Sequence, residues 1–332
     1  MEQSTYERVA EVKQTTAFFL KKARHCYAKL IKSPDQTRRL NPDHQGQAAS
    51  DFIKDMLAGN DSCLICRIGS TELKATLNQL DIASSGCLLT KSIKYIKGDI
   101  GPFWCDDKIR FLMHNLSGFF PADTTGLEKF AHLVLRDLHN IDVLGSWLAD
   151  EIRLETFLPN AKIVPLIDLE PYYHADPWSE ALEGKRVLVI HPYEESIKKQ
   201  YARHQVLFDD PRILPDFELM TLKAVQSIAG SKTNFSTWFE ALAWMSQRVS
   251  ELNFDIAIIG AGAYSLPLAS FVKNLGKKAL HLGGATQILF GIKGKRWDEI
   301  PFFKQLYNEN WVRPLATETP DNFRIVESGC YW

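Results

Sequence analysis

Short apolar runs that alternate with helical patterns recur along the chain, and the clearest set lies near its C-terminal end. There an apolar run leads into a loop of small residues, a helical pattern, a second apolar run and a second glycine loop. These segments are, in order, Ile256–Ile259, Gly260–Tyr264, Leu266–Leu275, Ala279–Leu282 and Gly283–Gly284. This order predicts a βαβ unit of an open parallel sheet.

Two earlier segments repeat the change from strand to helix. Cys63–Arg67 reads as a buried strand that runs into Gly69 and Ser70, and Arg186–Ile190 reads as a strand that ends at His191. Because α/β sheets bind ligands at the carboxyl ends of their strands, we expect these loops to share one edge. The fold class predicted is α/β and Rossmann-like, with a mostly parallel sheet or sheets flanked by helices.

The same patterns suggest how the chain is divided. Helical spacing over residues 6–32 places an N-terminal helical segment in residues 1–60. A first α/β half then spans residues 61–180, and a second Rossmann-like half with a C-terminal tail spans residues 181–332. The tail ends in aromatic residues, so we expect it to dock on the body of the protein.

Composition narrows the function classes. The 332 residues carry a formal net charge of −1, which gives no electrostatic case for nucleic acid. No apolar run approaches the length of a membrane span, and the N-terminus does not resemble a signal peptide, so we expect a cytoplasmic protein. The basic helix of residues 6–32 suits either a membrane surface or solvent, and Glu7 and Glu11 favour solvent. The sequence leaves homo-oligomer formation open.

Cys63 and Cys66 have the CxxC spacing of half a zinc site or of a redox pair. In a strand, however, residues three apart point to opposite faces. We therefore favour two buried thiols that take no part in metal or redox chemistry.

Several loops carry groups that suit a phosphorylated ligand, because helix N-termini, glycine loops and cations all favour phosphate. The alternative is that these residues only cap helices or form solvated turns. The candidate binding residues are Arg67, Gly69, Ser70, Thr71, Ser196, Gly260, Gly262, Tyr264, Gly283, Gly284, Lys293, Lys295 and Arg296. His191 is the first candidate for a general base, with Glu194 or Glu195 as the carboxylate that orients it.

One of these segments matches a family motif. Arg67-Ile-Gly-Ser-Thr-Glu72 resembles the Arg-x-Gly-Asp-x-Glu strand-to-helix motif of bacterial GT-D-type glycosyltransferases. The whole chain also resembles a group of bacterial proteins found with surface-polysaccharide genes, which share the blocks HPYEESIKKQY, KAVQSIAG and LGGATQILFGIKGKRW.

The resemblance implies a role for Glu72, which matches the motif carboxylate beside the nucleotide-sugar diphosphate and its divalent metal. Ser70 stands where the family has its first acid, so one oxygen ligand for Mg²⁺ or Mn²⁺ is lost. Either Glu72 and other groups hold the metal, or cations such as Arg67 and Arg296 neutralise the diphosphate instead. Loss of activity is the third alternative.

The sequence therefore favours a glycosyltransferase that makes a surface polysaccharide. Its partners would be a nucleotide-sugar donor and a glycan or lipid-linked glycan acceptor. Glu72, Glu194 and Glu195 are the reserve catalytic residues behind His191. The alternatives are a non-catalytic nucleotide-sugar or polysaccharide-binding protein and a nucleotide-cofactor oxidoreductase. The oxidoreductase is disfavoured because Ser265 stands where GxGxxG has its third glycine.

Overall fold

The computed structural model describes residues 14–30 and 39–332, and a seven-stranded parallel sheet lies at its centre. The spatial order of the strands is β3-β2-β1-β7-β6-β4-β5. The strands are β1 (Cys63–Cys66), β2 (Val143–Ser146), β3 (Lys162–Pro165), β4 (Arg186–His191), β5 (Glu218–Lys223), β6 (Ile256–Ile259) and β7 (Lys278–His281). The predicted α/β fold is confirmed.

Helices cover both faces of the sheet, which explains why the central strands read as continuous apolar runs. One core layer packs α3, α5, α6, α8 and α9 against the sheet, and the other packs α2, α7, α10 and α11. The helices are α1 (Gln14–Leu30), α2 (Gln47–Ala58), α3 (Ser70–Ala83), α4 (Leu88–Lys97), α5 (Asp107–Leu116), α6 (Thr124–Leu138), α7 (Glu194–Tyr201), α8 (Trp238–Ser250), α9 (Ser265–Asn274), α10 (Ala285–Leu289) and α11 (Pro301–Leu306). None of the described helices is long and apolar enough to cross a membrane.

Both predicted halves contribute to the one sheet. β1, β2 and β3 come from residues 61–180, and the other strands come from residues 181–332. The two sets meet where β1 pairs with β7, with Ile65 opposite Leu280. The sheet runs through both halves without a break. Their division into separate units stays a prediction.

The N-terminal helix is present from Gln14 to Leu30, and residues 6–13 and 31–32 of the predicted helix lie outside the described residues. It packs against α4, which the sequence pattern did not reveal. The spacing of apolar residues did not predict α4, because Leu88, Leu89 and Ile93 are exposed while Lys91 is buried.

The two cysteines of the CxxC spacing point to opposite faces of β1. Cys63 packs in the layer that contains α2, and Cys66 packs in the layer that contains α3. Burial raises the pKa of the Cys63 thiol to about 11 and raises that of Cys66 further. Both thiols are free.

We therefore expect alkylation of the native protein to label the exposed Cys26 and Cys87 rapidly and to leave Cys63 and Cys66 unmodified until the protein unfolds. Mass spectrometry of peptides after timed labelling, with and without denaturant, measures this order. Rapid labelling of Cys63 or Cys66 in the native protein would contradict the burial described here.

Candidate functional site

A cavity of about 560 Å³ opens at the carboxyl edge of the four central strands. Its lining takes in Arg67 after β1, His281 at the end of β7, Gly260 after β6 and His191 at the end of β4. This is the edge at which open parallel sheets bind ligands. The cavity lies within the size range of small-molecule sites.

Many of the sequence-predicted residues come together here. Those that line the cavity are Arg67, Gly69, Ser70, Thr71, Glu72, His191, Gly260, Gly262, Gly283, Gly284 and Arg296. They come from segments separated by more than two hundred residues, so the sheet topology assembles the site.

Arg67 supplies the cationic centre of the cavity. Its guanidinium carbon lies 4.9 Å from the ring centroid of Trp147, and its side chain passes over Gly283, where a Cβ would lie 3.4 Å from Arg67 Cδ. Among the described residues the guanidinium has no carboxylate within 4.0 Å. Stacking holds this cation in place without neutralising it, so its charge is available to a ligand.

Two hydrogen bonds hold Trp147, one from its indole ring and one from its backbone N–H. Its indole Nε1 donates to the carbonyl oxygen of Ile68 at 3.0 Å, and its backbone N–H donates to Glu151 Oε2 at 3.1 Å. Ser146 Oγ donates to the same carboxylate oxygen at 2.5 Å. Burial raises the pKa of Glu151, and the nearby charge of Arg67 opposes that rise. The platform under Arg67 is therefore rigid.

The N-terminus of α3 opens into the same space. Gly69 is its N-cap residue and offers no side-chain cap, so the first N–H groups of the helix have no side-chain partner among the described residues. The carboxylate of Glu72 folds back over Gly69, where a Cβ would collide with it. An uncapped helix N-terminus beside a cation is an arrangement that attracts anions.

His191 is present in the cavity as a neutral hydrogen-bond donor. Its Nδ1 accepts a hydrogen bond from the backbone N–H of Tyr193 at 3.0 Å, which assigns the ring proton to Nε2. Burial lowers the pKa of His191 to about 3. A ring whose Nδ1 is occupied and whose Nε2 carries the proton is a poor general base, so this geometry favours a donor.

His281 is a second buried histidine in the lining, and no role was predicted for it from the sequence. Burial, with a smaller contribution from the charge of Arg67, lowers its pKa to about 3. Its Nδ1 is buried and has no hydrogen-bond partner among the described residues.

The Gly260–Tyr264 loop lines the cavity, but its N–H groups are largely occupied. The N–H of Ala261 donates to Ser265 Oγ at 2.8 Å, and that of Ala263 donates to the carbonyl oxygen of Ser117 at 3.4 Å. A Cβ on Gly260 would lie 2.7 Å from His191 Cδ2, so that glycine permits close packing of the two strand ends. Within the described residues the Gly262 N–H is the one in this loop without an acceptor, whereas the first N–H groups of α3 are free as a set.

Three predicted residues at the start of α7 do not line the cavity. Glu194 accepts a hydrogen bond from Thr221 Oγ1 at 2.6 Å, and Glu195 pairs with Lys198 at 3.0 Å. Ser196 Oγ donates to the buried carboxylate of Glu318, which also caps this helix. This segment anchors the C-terminal part of the chain.

Three more predicted residues also lie outside the lining. The ring of Tyr264 is buried and stacks on Trp238 with centroids 4.8 Å apart. Lys293 Nζ lies 5.1 Å from the ring centroid of Tyr307, and Lys295 Nζ donates to the carbonyl oxygen of Ser328 at 3.3 Å. These contacts fit a packing role for all three side chains.

The C-terminal segment docks on the body of the protein, as its aromatic residues predicted, and it also closes one side of the cavity. Tyr331 and Trp332 line the cavity, and Gln287 Nε2 donates to the carbonyl oxygen of Tyr331 at 3.2 Å. Arg296 pairs with Glu327, so the charge of this second arginine is already balanced by a carboxylate of the protein itself.

Sequence reasoning missed several lining residues, among them Trp147, His281, Gln226, Tyr331 and Trp332. A signal existed for two of them. Trp147 directly follows the short apolar run that becomes β2, and His281 lies in the predicted strand Ala279–Leu282.

The donor set does not fit a resident Mg²⁺ or Mn²⁺. These ions prefer several oxygen ligands, and the lining contains only two carboxylates, Glu72 and the arginine-paired Glu327. No group of three metal-ligating side chains is found in the described part of the chain. Ser70 itself offers only a hydroxyl, so the lining has no third carboxylate for such an ion.

No family model, curated protein or solved structure matches this chain.

The buried histidines predict how stability depends on pH. The unfolded chain protonates each histidine near pH 6.5, but the folded protein leaves His191 neutral until about pH 3. The free energy of unfolding should therefore fall as the pH falls below 6.5, by about 1.4 kcal/mol per pH unit for each such histidine. His191→Asn retains an acceptor for the Tyr193 N–H and should reduce this slope by about that amount.

Urea unfolding between about pH 5 and pH 6.5 measures the slope. The matched control is His132→Asn, which removes an exposed histidine from α6. An unchanged slope in His191→Asn would contradict the neutral, buried state of this ring.

Proposed function

We propose that the protein is a glycosyltransferase that uses a nucleotide-sugar donor in the synthesis of a surface polysaccharide. The observation that carries this proposal is the pairing of an unneutralised arginine, Arg67, with the uncapped N-terminus of α3 in one cavity. The leaving group of such a reaction is a nucleoside diphosphate, and these groups supply the positive charge that its departure requires. The resemblance of residues 67–72 to the GT-D motif supports the same reading.

In this proposal the diphosphate lies against Arg67 and the N–H groups of Ser70 and Thr71. The protonated Nε2 of His191 is a further neutral donor at the same edge. Tyr331 and Trp332 offer aromatic surface on which a base or a sugar ring can stack. The negative charge that develops on the leaving group is thus met by fixed donors in a partly buried site.

Glu72 takes the role of general base, because His191 is held as a donor. In an inverting transfer, the acceptor hydroxyl oxygen attacks the anomeric carbon and the bond from that carbon to the diphosphate oxygen breaks. The hydroxyl proton passes to the Glu72 carboxylate, and the bonding electrons leave with the nucleoside diphosphate. No step requires a metal ion.

A non-catalytic nucleotide-sugar-binding protein is the second candidate. It is favoured by Ser70, which stands where the resembling family has an acid. Both candidates bind the same ligand, so only a measurement of transfer separates them.

Nucleoside diphosphate sugars should raise the melting temperature of the wild-type protein. Arg67→Gln should weaken their binding by a factor of about 10 to 100, because a charge-assisted contact is lost. A panel of sugar nucleotides in a thermal-shift assay, with and without Mn²⁺, measures this. Arg24→Gln is the matched control, since Arg24 also stacks on an aromatic ring, Tyr95, but lies outside the cavity. Binding that requires Mn²⁺ and is unaffected by Arg67→Gln would contradict the proposed role of the arginine.

Glu72→Gln should reduce the rate of transfer by at least about 100-fold and leave ligand binding in place, because the variant keeps the shape of the side chain but cannot accept the proton. Glu195→Gln removes a carboxylate outside the cavity and should transfer at the wild-type rate. The rate is measured as release of nucleoside diphosphate from the donor that the thermal-shift panel identifies. Full activity in Glu72→Gln would remove the proposed base, and binding without transfer in the wild type would favour the second candidate.

A further inference from the structure

The pair formed by α1 and α4 is a small unit beside the main core. Ala17 and Leu20 of α1 pack with Tyr95 of α4 and with Phe103 and Trp104 in a cluster separate from the two layers on the sheet. Arg24 joins the two helices, because it stacks on Tyr95 and donates to the carbonyl oxygen of Ile100 at 3.0 Å. These contacts fix which faces of the two helices remain outside.

The outer faces of this pair expose large apolar side chains. Leu30, Leu89 and Phe19 are the most open of them, at 85%, 69% and 68% exposure. The full set is Phe18, Phe19 and Leu30 on α1 and Leu88, Leu89 and Ile93 on α4. Scattered exposed apolar residues are normal on protein surfaces, but a concentration on two adjacent helices marks an interaction surface.

The same two helices are strongly basic. Over their described spans they carry four and three cationic residues, respectively, and neither span contains Asp or Glu, although the whole chain has a net charge of −1. Glu7 and Glu11 of the predicted helix lie outside the described residues. Three of the seven are used inside the protein: Lys21 pairs with Asp106, Arg24 bonds Ile100, and the buried Lys91 donates to the carbonyl oxygen of Ile82.

The four remaining lysines are all exposed, and they are Lys22, Lys29, Lys94 and Lys97. None forms a salt bridge with another described residue. Lys22 Nζ lies 4.5 Å from the ring centroid of Phe18, so a cation and an exposed aromatic ring form one unit. Among the described residues, the nearest exposed acid along the chain is Asp99, two residues beyond the end of α4.

We propose that the outer surface of the α1–α4 pair docks on an anionic lipid bilayer. Apolar side chains would enter the headgroup region, while the lysines, whose aliphatic stems lie along apolar surface, would place their charges among lipid phosphates. A second copy of the chain is a poor occupant, because a symmetric contact would bring the unpaired lysines of both copies together. This inference does not depend on the proposed enzymatic function.

Co-sedimentation of the full chain with vesicles tests the proposal. The protein should bind phosphatidylcholine vesicles that contain about a third phosphatidylglycerol, and should bind pure phosphatidylcholine vesicles far more weakly. Each lysine near such a surface strengthens binding roughly fivefold, so replacing Lys22, Lys29, Lys94 and Lys97 with Gln should lower the partition coefficient at least about 100-fold. Binding by the wild type should also weaken at about 1 M salt, where the Debye length is about 3 Å.

The matched control replaces Lys185, Lys199, Lys223 and Lys232, which are exposed elsewhere, with Gln and should retain binding. Phe19→Ser with Leu89→Ser tests the apolar part of the surface and should also weaken binding. Equal binding by the two lysine variants would overturn the proposal, as would failure of the wild type to bind anionic vesicles. A concentration-dependent dimer that the Phe19→Ser, Leu89→Ser variant loses would instead assign the surface to a second copy.

Discussion

The parallel pairing of β1 with β7 is the constraint on which the site depends. It places the residue after β1, Arg67, beside the end of β7, so that the arginine side chain passes over Gly283. A side chain at Gly283 would occupy that path, and its positive φ of 59° also favours glycine. The cation, the glycine turn and the N-terminus of α3 therefore form one surface only because strands from the two ends of the chain are neighbours. Each of these groups is a common feature of α/β proteins, and their juxtaposition makes the site.

The electrostatic character of the cavity depends on which of its charged side chains lack a partner of opposite charge. Arg296 is neutralised by Glu327, whereas Arg67 rests on an aromatic ring and keeps its charge. The two buried histidines are neutral, so they add hydrogen-bonding capacity without adding charge. Fixed donors of this kind, held before the ligand arrives, stabilise an anion at little reorganisation cost.

Local patterns were sufficient to predict β1, β4, β6 and β7 and the loops that follow them. β6 was predicted with its observed bounds, and the edge that holds the site followed from the rule for parallel sheets. The stacking of Arg67 on Trp147 was not predictable, because it depends on which strands are neighbours, and that order is not written in local periodicity. The sequence also made the Gly260 loop look like the ligand cradle. Two of its N–H groups, those of Ala261 and Ala263, are bonded to Ser265 and Ser117, which only the tertiary structure reveals.

A crystal structure of the protein with a nucleoside diphosphate tests the central claim most directly, because it locates the phosphates. The account predicts that they contact the guanidinium of Arg67 and the backbone N–H groups of Ser70 and Thr71, with Arg67 still stacked on Trp147. Phosphates bound at the Gly260–Tyr264 loop or at the start of α7, with no contact to Arg67, would contradict it.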